Sequence, residues 1–428
     1  MGNEAHVTAA ARDTHAPLRI GLVLRGGVEE GTERENPFPV FVDFIRTLAR
    51  SNHVRVFSLH GNNDVPLFPL GGSTIPSYGF AGAEVVHLGT ARGARLRLAA
   101  DVVRVLSAIH SGQPRSVRPQ VLHGIGQGPG LVATIVARLL GIPSVVSLIG
   151  GELTNLPSAE YGELRTVKGR ALMAIQLHCA DVFTAATRFM QRRIRSHGTE
   201  ARVMPFGVDV QRFDGPVTRP DGPPFQLLHV GTLCPVKDQL SILRATRILV
   251  DRGFDVEVDI VGWDDWGGSV QRESARLDLT NRVRFHGWRN RAELRVMYQS
   301  AHVFVMASLD DIAPVAVLEA ASSGLAVVGT DVGFISDWAP LMAVKTAIND
   351  PRALALGLET VLSNRDYRQG LARRAQHWVR TNASLDVNDA YLELYRELSD
   401  ASEHRRGRLM KALRRGAAAA AGVPRRTN

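Results

Sequence analysis

Two carboxylates and a lysine stand at spacings suited to an anionic, hydroxyl-rich ligand. Asp311 lies just past an apolar run, Val303 to Ala307, and Glu319 follows eight residues on, about two turns down the same helix. The run predicts a strand covered on both faces, and Pro314 falls where a helix's first turn tolerates a missing N–H. Backbone N–H groups at that helix start, between Ala313 and Ala316 on either side of Pro314, would hold a phosphate, and the two carboxylates would accept hydrogen bonds from hydroxyls. Phosphate beside polyol is what a nucleotide-sugar presents. A plainer role also fits: Asp311 as a helix cap and Glu319 as a solvated or neutralised side chain.

Lys237 enters from a second strand–turn–helix unit. Phe225 to Val230 predicts a strand, Gly231 to Asp238 a turn, and Leu240, Leu243, Ile248 and Leu249 the apolar stripe of a helix. Asp238 suits the N-cap, and Lys237 just before it can reach an anion drawn to the same helix end. A charge-assisted hydrogen bond there contributes roughly 1.5 to 3 kcal/mol, more than an exposed ion pair. Strands Val256 to Val261 and Arg282 to Phe285 follow, ending near Gly262 and Gly287, and a strand from Leu325 to Val328 leads into a glycine turn.

The first half repeats the pattern. Strand Leu18 to Leu24 runs into Gly26-Gly27, followed by a helix around Phe41 to Leu48 and a strand from Val54 to Leu59. The turn lacks the GxGxxG spacing, which argues against a nicotinamide site. Gln120 to Leu122 leads to His123, Leu131 to Leu140 forms a helix closed by Gly141, and Pro143 to Leu148 leads to Gly150-Gly151-Glu152. A long helix is expected over Tyr161 to Ala180 and a strand over Asp181 to Ala185. Alternating strands and helices predict an α/β protein of doubly wound, Rossmann-like units.

A chain of 428 residues exceeds one core and predicts two domains. No apolar run reaches the roughly 18 residues of a membrane span, Cys179 and Cys234 form no CxxC pair, and residues 1–17 read as a disordered leader without a signal peptide. A cytoplasmic setting is expected. The net charge of +9 is concentrated: from Ala401 onward eight lysines and arginines stand against Glu403, a net of +7. The body is therefore nearly neutral, which argues against a nucleic-acid partner. Residues 401–428 have the composition of a disordered tail, and also of a segment that lies peripherally on an anionic membrane. The acidic pairs Asp264-Asp265 and Asp310-Asp311 lack the intervening residue of an Asp-x-Asp metal site, so no metal is expected.

The segment from Asp311 to Asp337 resembles the donor-binding signature of the family 4 retaining glycosyltransferases, two-domain enzymes of the GT-B fold. The resemblance rests on Asp311, Glu319-Ala320, Gly324, Val327-Val328, Gly333 and Asp337, and is joined by Pro205-x-Gly207-Val208-Asp209 with Phe213, and by Val283-x-Phe285-x-Gly287. It covers roughly residues 18 to 398. Four positions depart from the pattern: Asp311 replaces the usual Glu, Phe334 a turn glycine, Thr232 a diphosphate-binding Arg, and Ile149 a His near the reacting sugar.

The resemblance implies two Rossmann-like domains facing across a cleft. The acceptor-binding domain would span 18–206, a hinge 207–224, the nucleotide-sugar domain 225–380, and a helix over 381–400 would cross back; Trp378, Tyr391 and Tyr395 of the terminal helices would pack on the first domain. Asp311, Lys237 and Glu319 would carry catalysis, with Gly231, Thr232, Gly262, Gly287, Ala313, Pro314 and Val315 also against the donor. Gly26, Gly27, His123, Gly150, Gly151 and Glu152 would line the acceptor side. The implied reaction is sugar transfer from a nucleotide-sugar to a hydroxyl acceptor with retention and without a cofactor. The departures leave two alternatives, an inert relative that binds nucleotide-sugar and a sugar-nucleotide epimerase.

Overall fold

The computed structural model describes residues 16–25, 39–59, 77–88, 97–110, 118–215 and 221–420. Gly26, Gly27, nearly all of the leader, five linker residues and the last eight residues of the tail lie outside that set. Two sheets organise the chain. The first contains β1 (Arg19–Leu24), β2 (His53–Ser58), β3 (Ser77–Phe80), β4 (Ala83–His87), β5 (Val121–Ile125), β6 (Ser144–Leu148), β7 (Val182–Ala185) and β8 (Ala201–Val203). Its order is β3-β4-β2-β1-β5-β6-β7-β8, parallel except for the β3–β4 hairpin. The second contains β9 (Phe225–Val230), β10 (Val256–Val261), β11 (Val283–Gly287), β12 (Val303–Met306), β13 (Ala326–Thr330) and β14 (Ala343–Thr346). All its pairs are parallel, in the order β11-β10-β9-β12-β13-β14. Both are doubly wound sheets, and every residue of β5, β6, β12 and β13 is buried, as strands covered on both faces require.

Helices α1 (Pro39–Ala49), α2 (Arg97–His110), α3 (Gln127–Leu140), α4 (Val167–Cys179) and α5 (Arg188–Ser196) cover the first sheet. A short α6 (Val210–Phe213) lies between the sheets. The second sheet carries α7 (Gln239–Asp251), α8 (Ser269–Arg276), α9 (Arg291–Ser300), α10 (Val315–Ser322), α11 (Gly333–Trp338), α12 (Pro351–Ser363) and α13 (Arg365–Asn382), and α14 (Asp389–Ala420) closes the described chain.

Four differences from the sequence reading have local causes. The helix expected from Tyr161 begins only at Val167, because Gly162 takes φ +104° and a side chain there would meet the Thr154 carbonyl at 2.1 Å. Pro314 is the N-cap of α10 rather than its first helical residue. The expected turn after β13 is the helix α11, begun by Gly333 at φ +50°. The backbone of 401–420 continues α14 as helix, where a disordered tail was expected.

The motif Met204 to Asp209 is fixed by the returning C-terminal segment. A Cβ on Gly207 would sit 2.3 Å from the Ser384 carbonyl oxygen, so only glycine allows this approach. The Gly207 N–H donates to Asn388 (2.9 Å), the Val208 N–H to Ala383 (2.8 Å), and the Tyr391 hydroxyl to the Met204 carbonyl (2.8 Å). Tyr391 stacks on Phe206 and meets Phe44 edge-on, carrying α14 onto the first sheet's helices. Trp378 does not join it: its ring packs on Trp338 and Phe334 of the second sheet's layer.

Candidate active site

The carboxyl ends of both sheets open into one cleft of about 910 Å³, the position where parallel α/β sheets collect ligands. One wall is made by the turn after β9 and the corner between β12 and α10, the other by the loop after β6 and the start of α3. Of the residues singled out by sequence, Gly231, Thr232, Lys237, Asp311, Ala313, Pro314 and Val315 line the first wall. Gly150, Gly151 and Glu152 line the second.

Lys237 ends a short 3-10 turn, and its ammonium pairs with the Asp311 carboxylate. Burial pulls the lysine pKa down, but the charge and hydrogen bond of Asp311 more than reverse this, so it stays above the ordinary lysine range. Asp238 takes a left-handed conformation and caps α7, accepting from the Ser241 N–H (3.3 Å) and hydroxyl (2.6 Å). The adjoining Thr232 carbonyl is held by the Gln239 amide at 2.9 Å. Gln239 also reaches Nε2 of buried His229, whose Nδ1 faces the Val305 carbonyl at 3.0 Å; burial lowers this imidazole's pKa to about 4, so it is neutral. On the same wall as Lys237, α10 follows its N-cap Pro314 with no side-chain cap, so its first N–H groups have no side-chain partner there.

Glu152 is buried, and its carboxylate accepts from the N–H groups of Ile149 (3.2 Å) and Gly150 (2.7 Å). Burial raises its pKa, and those two donors partly offset the rise. Arg25, at the end of β1, also lines the cleft and supplies a cation on the side away from Lys237. Sequence reasoning missed Tyr161, Glu163, Arg165 and Thr166, which a break in the expected helix turns into the wall.

Four expected residues do not line the cleft. His123 is fully buried between the Tyr395 hydroxyl (2.6 Å) and the Ser147 hydroxyl (2.7 Å), and burial lowers its pKa to about 3. It anchors α14 and is not an acceptor-side group. Gly262 and Gly287 shape the turn from behind: the Gly262 N–H donates to Gly287 at 2.9 Å, and a Cβ on Gly262 would sit 2.0 Å from the Gly231 carbonyl oxygen. Glu319 is 9% exposed and accepts from the Tyr298 hydroxyl at 2.9 Å, while its neighbour Leu318 faces the cleft.

Burial lifts the Glu319 carboxyl to about 7, against the opposing effects of Tyr298 and Arg212. Its ordinary value is 4.5, so between the two values the folded protein holds a proton that the unfolded chain has lost. The protonated carboxyl therefore favours folding fully below that window, and the benefit is lost as pH rises through it. Relative to Glu319→Gln, the wild-type protein should lose up to about 1.4 kcal/mol of stability per pH unit across the window. Urea unfolding at both ends checks this, and identical pH dependence in the two proteins would contradict it.

The two lobes are tied together beside the site. Asp310, next to Asp311, is buried and pairs with Arg193 of α5 at 2.8 Å while accepting from the Thr154 hydroxyl. Thr187 donates to the Ile312 carbonyl (2.9 Å), and Asp337 accepts the N–H groups of Arg188 (2.6 Å) and Phe189 (3.3 Å) at the start of α5. Among the described residues no group of three or more histidines, cysteines or acids could hold a metal ion.

Two lobes, a shared cleft and this lysine–acid turn define a GT-B architecture, and the sequence matches the corresponding family models. Residues 39–207 match the glycosyl transferase 4-like domain and residues 211–378 match glycosyl transferases group 1. The chain belongs to this family of GT-B glycosyltransferases. It is 26% identical over 223 residues to the UDP-Gal:alpha-D-GlcNAc-diphosphoundecaprenol alpha-1,3-galactosyltransferase of Escherichia coli, covering 48% of this chain and 56% of that protein. It is 26% identical over 224 residues to the D-inositol 3-phosphate glycosyltransferase of Corynebacterium urealyticum, covering 47% and 52%. The matches thus span about half the length of these curated relatives. Among solved structures, sucrose-phosphate synthase from Thermosynechococcus elongatus superposes with TM-score 0.70 at 17% identity, over 90% of this chain and 100% of that one. Anabaena HepE, in complex with UDP and glucose, superposes with TM-score 0.68 at 16% identity, over 89% and 100%. Identities this low establish the shared fold alone.

Proposed function

We propose that the chain transfers a glycosyl group from a nucleoside-diphosphate sugar to a hydroxyl acceptor, with retention of anomeric configuration and without a metal. The observation that carries this reading is the Lys237–Asp311 pair, set in the interlobe cleft on the same wall as the uncapped start of α10. The diphosphate takes over the lysine and the free N–H groups of α10, which disperse the charge that grows as the sugar leaves. Asp311, released from the lysine, accepts a hydrogen bond from a sugar hydroxyl. The acceptor approaches from the wall bearing Gly150, Gly151 and Glu152, attacking on the face the diphosphate leaves. Arg25 supplies the second cation that Thr232 cannot, from the opposite lobe.

Domain roles follow the walls: residues 18–206 hold the acceptor, 225–380 the donor, and the linker 207–224 is the hinge. The basic end of α14 suits a peripheral contact with an anionic membrane on the cytoplasmic side. Among the described residues no helix is long and apolar enough to cross a membrane.

Incubation with radiolabelled nucleotide-sugars tests the reading. Release of nucleoside diphosphate, faster with a hydroxyl acceptor than with water, is the expected result. Thr232 in place of the usual cation favours a second reading, an inert relative; tight nucleotide binding with no release would establish it in place of the first. Formation of a sugar epimer would overturn both.

A further inference from the structure

Tyr161 belongs to the first lobe, lines the cleft, and has no part in the chemistry described so far. Its backbone is pinned by a two-way bridge to Leu156, with the Leu156 N–H donating to the Tyr161 carbonyl (2.9 Å) and the Tyr161 N–H to the Leu156 carbonyl (3.1 Å). Three glycines then set its ring. Gly162 turns the chain at φ +104°, a Cβ on Gly151 would press on two ring atoms at 2.8 Å, and the Cβ position of Gly150 is 3.7 Å from the hydroxyl. The ring therefore lies on the Gly151 backbone with its hydroxyl beside the loop that carries Glu152.

The chemistry around that hydroxyl is one-sided. Burial, then the carboxylates of Asp311, Glu152 and Asp310, push the phenol far above its ordinary range, so it keeps its proton and serves as a hydrogen-bond donor. The adjoining strand end offers no side-chain donor of its own: Ile149 is apolar, and Glu152 is occupied by the N–H groups of Ile149 and Gly150. Across the cleft, Asp311 is a carboxylate that can only accept. A sugar hydroxyl donates one hydrogen and accepts another, so a donor and an acceptor facing each other across a cleft complete a single hydroxyl.

We propose that the Tyr161 phenol is the first lobe's contact with the transferred sugar, donating to the same hydroxyl whose hydrogen Asp311 accepts. The proposal rests on the transferase reading and adds to it a specificity-determining residue. The contact exists only when a nucleotide-sugar spans both lobes, so it favours the sugar over the bare nucleotide.

Tyr161→Phe keeps the ring on Gly151 and deletes only the hydroxyl. Turnover of UDP-glucose, UDP-galactose, UDP-N-acetylglucosamine and GDP-mannose, and binding of UDP and GDP, are measured for wild type, Tyr161→Phe, Asp311→Asn and the double variant. For the sugar the wild type uses, Tyr161→Phe should lower kcat/KM about 10- to 100-fold with nucleoside-diphosphate affinity within about twofold. The double variant should be no slower than about threefold below the worse single one, because both groups serve one hydroxyl. Unchanged turnover in Tyr161→Phe, an equal loss of nucleotide affinity, or fully additive losses would overturn the proposal. Turnover of none of the four sugars by the wild type would overturn the transferase reading and the proposal with it.

Discussion

Lys237→Ala is expected to lower donor turnover by about 10²- to 10³-fold, the usual cost of removing one preorganised group that meets transition-state charge. The fold should survive, because the side chain faces the cleft and its partner Asp311 can then take up water. The loss has two sources. The diphosphate loses its cation, and it meets an Asp311 carboxylate that is no longer neutralised. The companion change separates them: Asp311→Asn frees Lys237 for the phosphates, so nucleoside diphosphate should bind more tightly while sugar transfer falls. Calorimetric titration together with steady-state rates reads both signs. Weaker nucleotide binding in Asp311→Asn would show that the lysine and the acid do not compete as described.

Asp310→Ala should have the largest effect on stability of any single change at the site. Its side chain is 1% exposed and is held by Arg193 and Thr154 of the other lobe. Removing it leaves the guanidinium without its partner at a closed interface, and breaking buried pairs of this kind costs about 3–5 kcal/mol. Arg193 is 30% exposed and can recover some hydration, which places the effect at the lower end. Asp310→Asn, which keeps an acceptor for Thr154, should cost less. Denaturant unfolding monitored on each lobe would show the loss as a weaker coupling between two transitions, and a variant as stable as wild type would show that the pair carries no interlobe energy.

In the second lobe the limits of two strands were legible from sequence because a glycine turn closes each of them. β9 and β10 fall on the residues expected, each rich in β-branched or other apolar residues and ended by a glycine, Gly231 and Gly262. Asp238 as a cap was equally readable, because the cap is local chemistry. Positions whose roles depend on long-range contact were not. From sequence His123 is expected just after a strand over Gln120 to Leu122, where a ligand-binding residue would sit, yet it lies inside β5 and Tyr395, 272 residues away in sequence, covers it. Tyr161 falls at the start of a helix expected from the spacing of Leu164, Val167, Leu172, Ile175 and Cys179, but Gly162, turned to φ +104° against the Thr154 carbonyl, separates it from α4. The β3–β4 hairpin and α2 carried no signal used in the reading, and Glu319 gave no sign that it turns towards Tyr298 and away from the cleft.

Crystals soaked with a nucleoside diphosphate bear most directly on the placement of the phosphates. The pyrophosphate should lie within hydrogen-bonding distance of Lys237 Nζ and of the N–H groups of Val315 and Ala316, with Asp311 displaced from the lysine. A nucleotide bound elsewhere, or bound here with the Lys237–Asp311 pair intact, would contradict the site and the chemistry built on it.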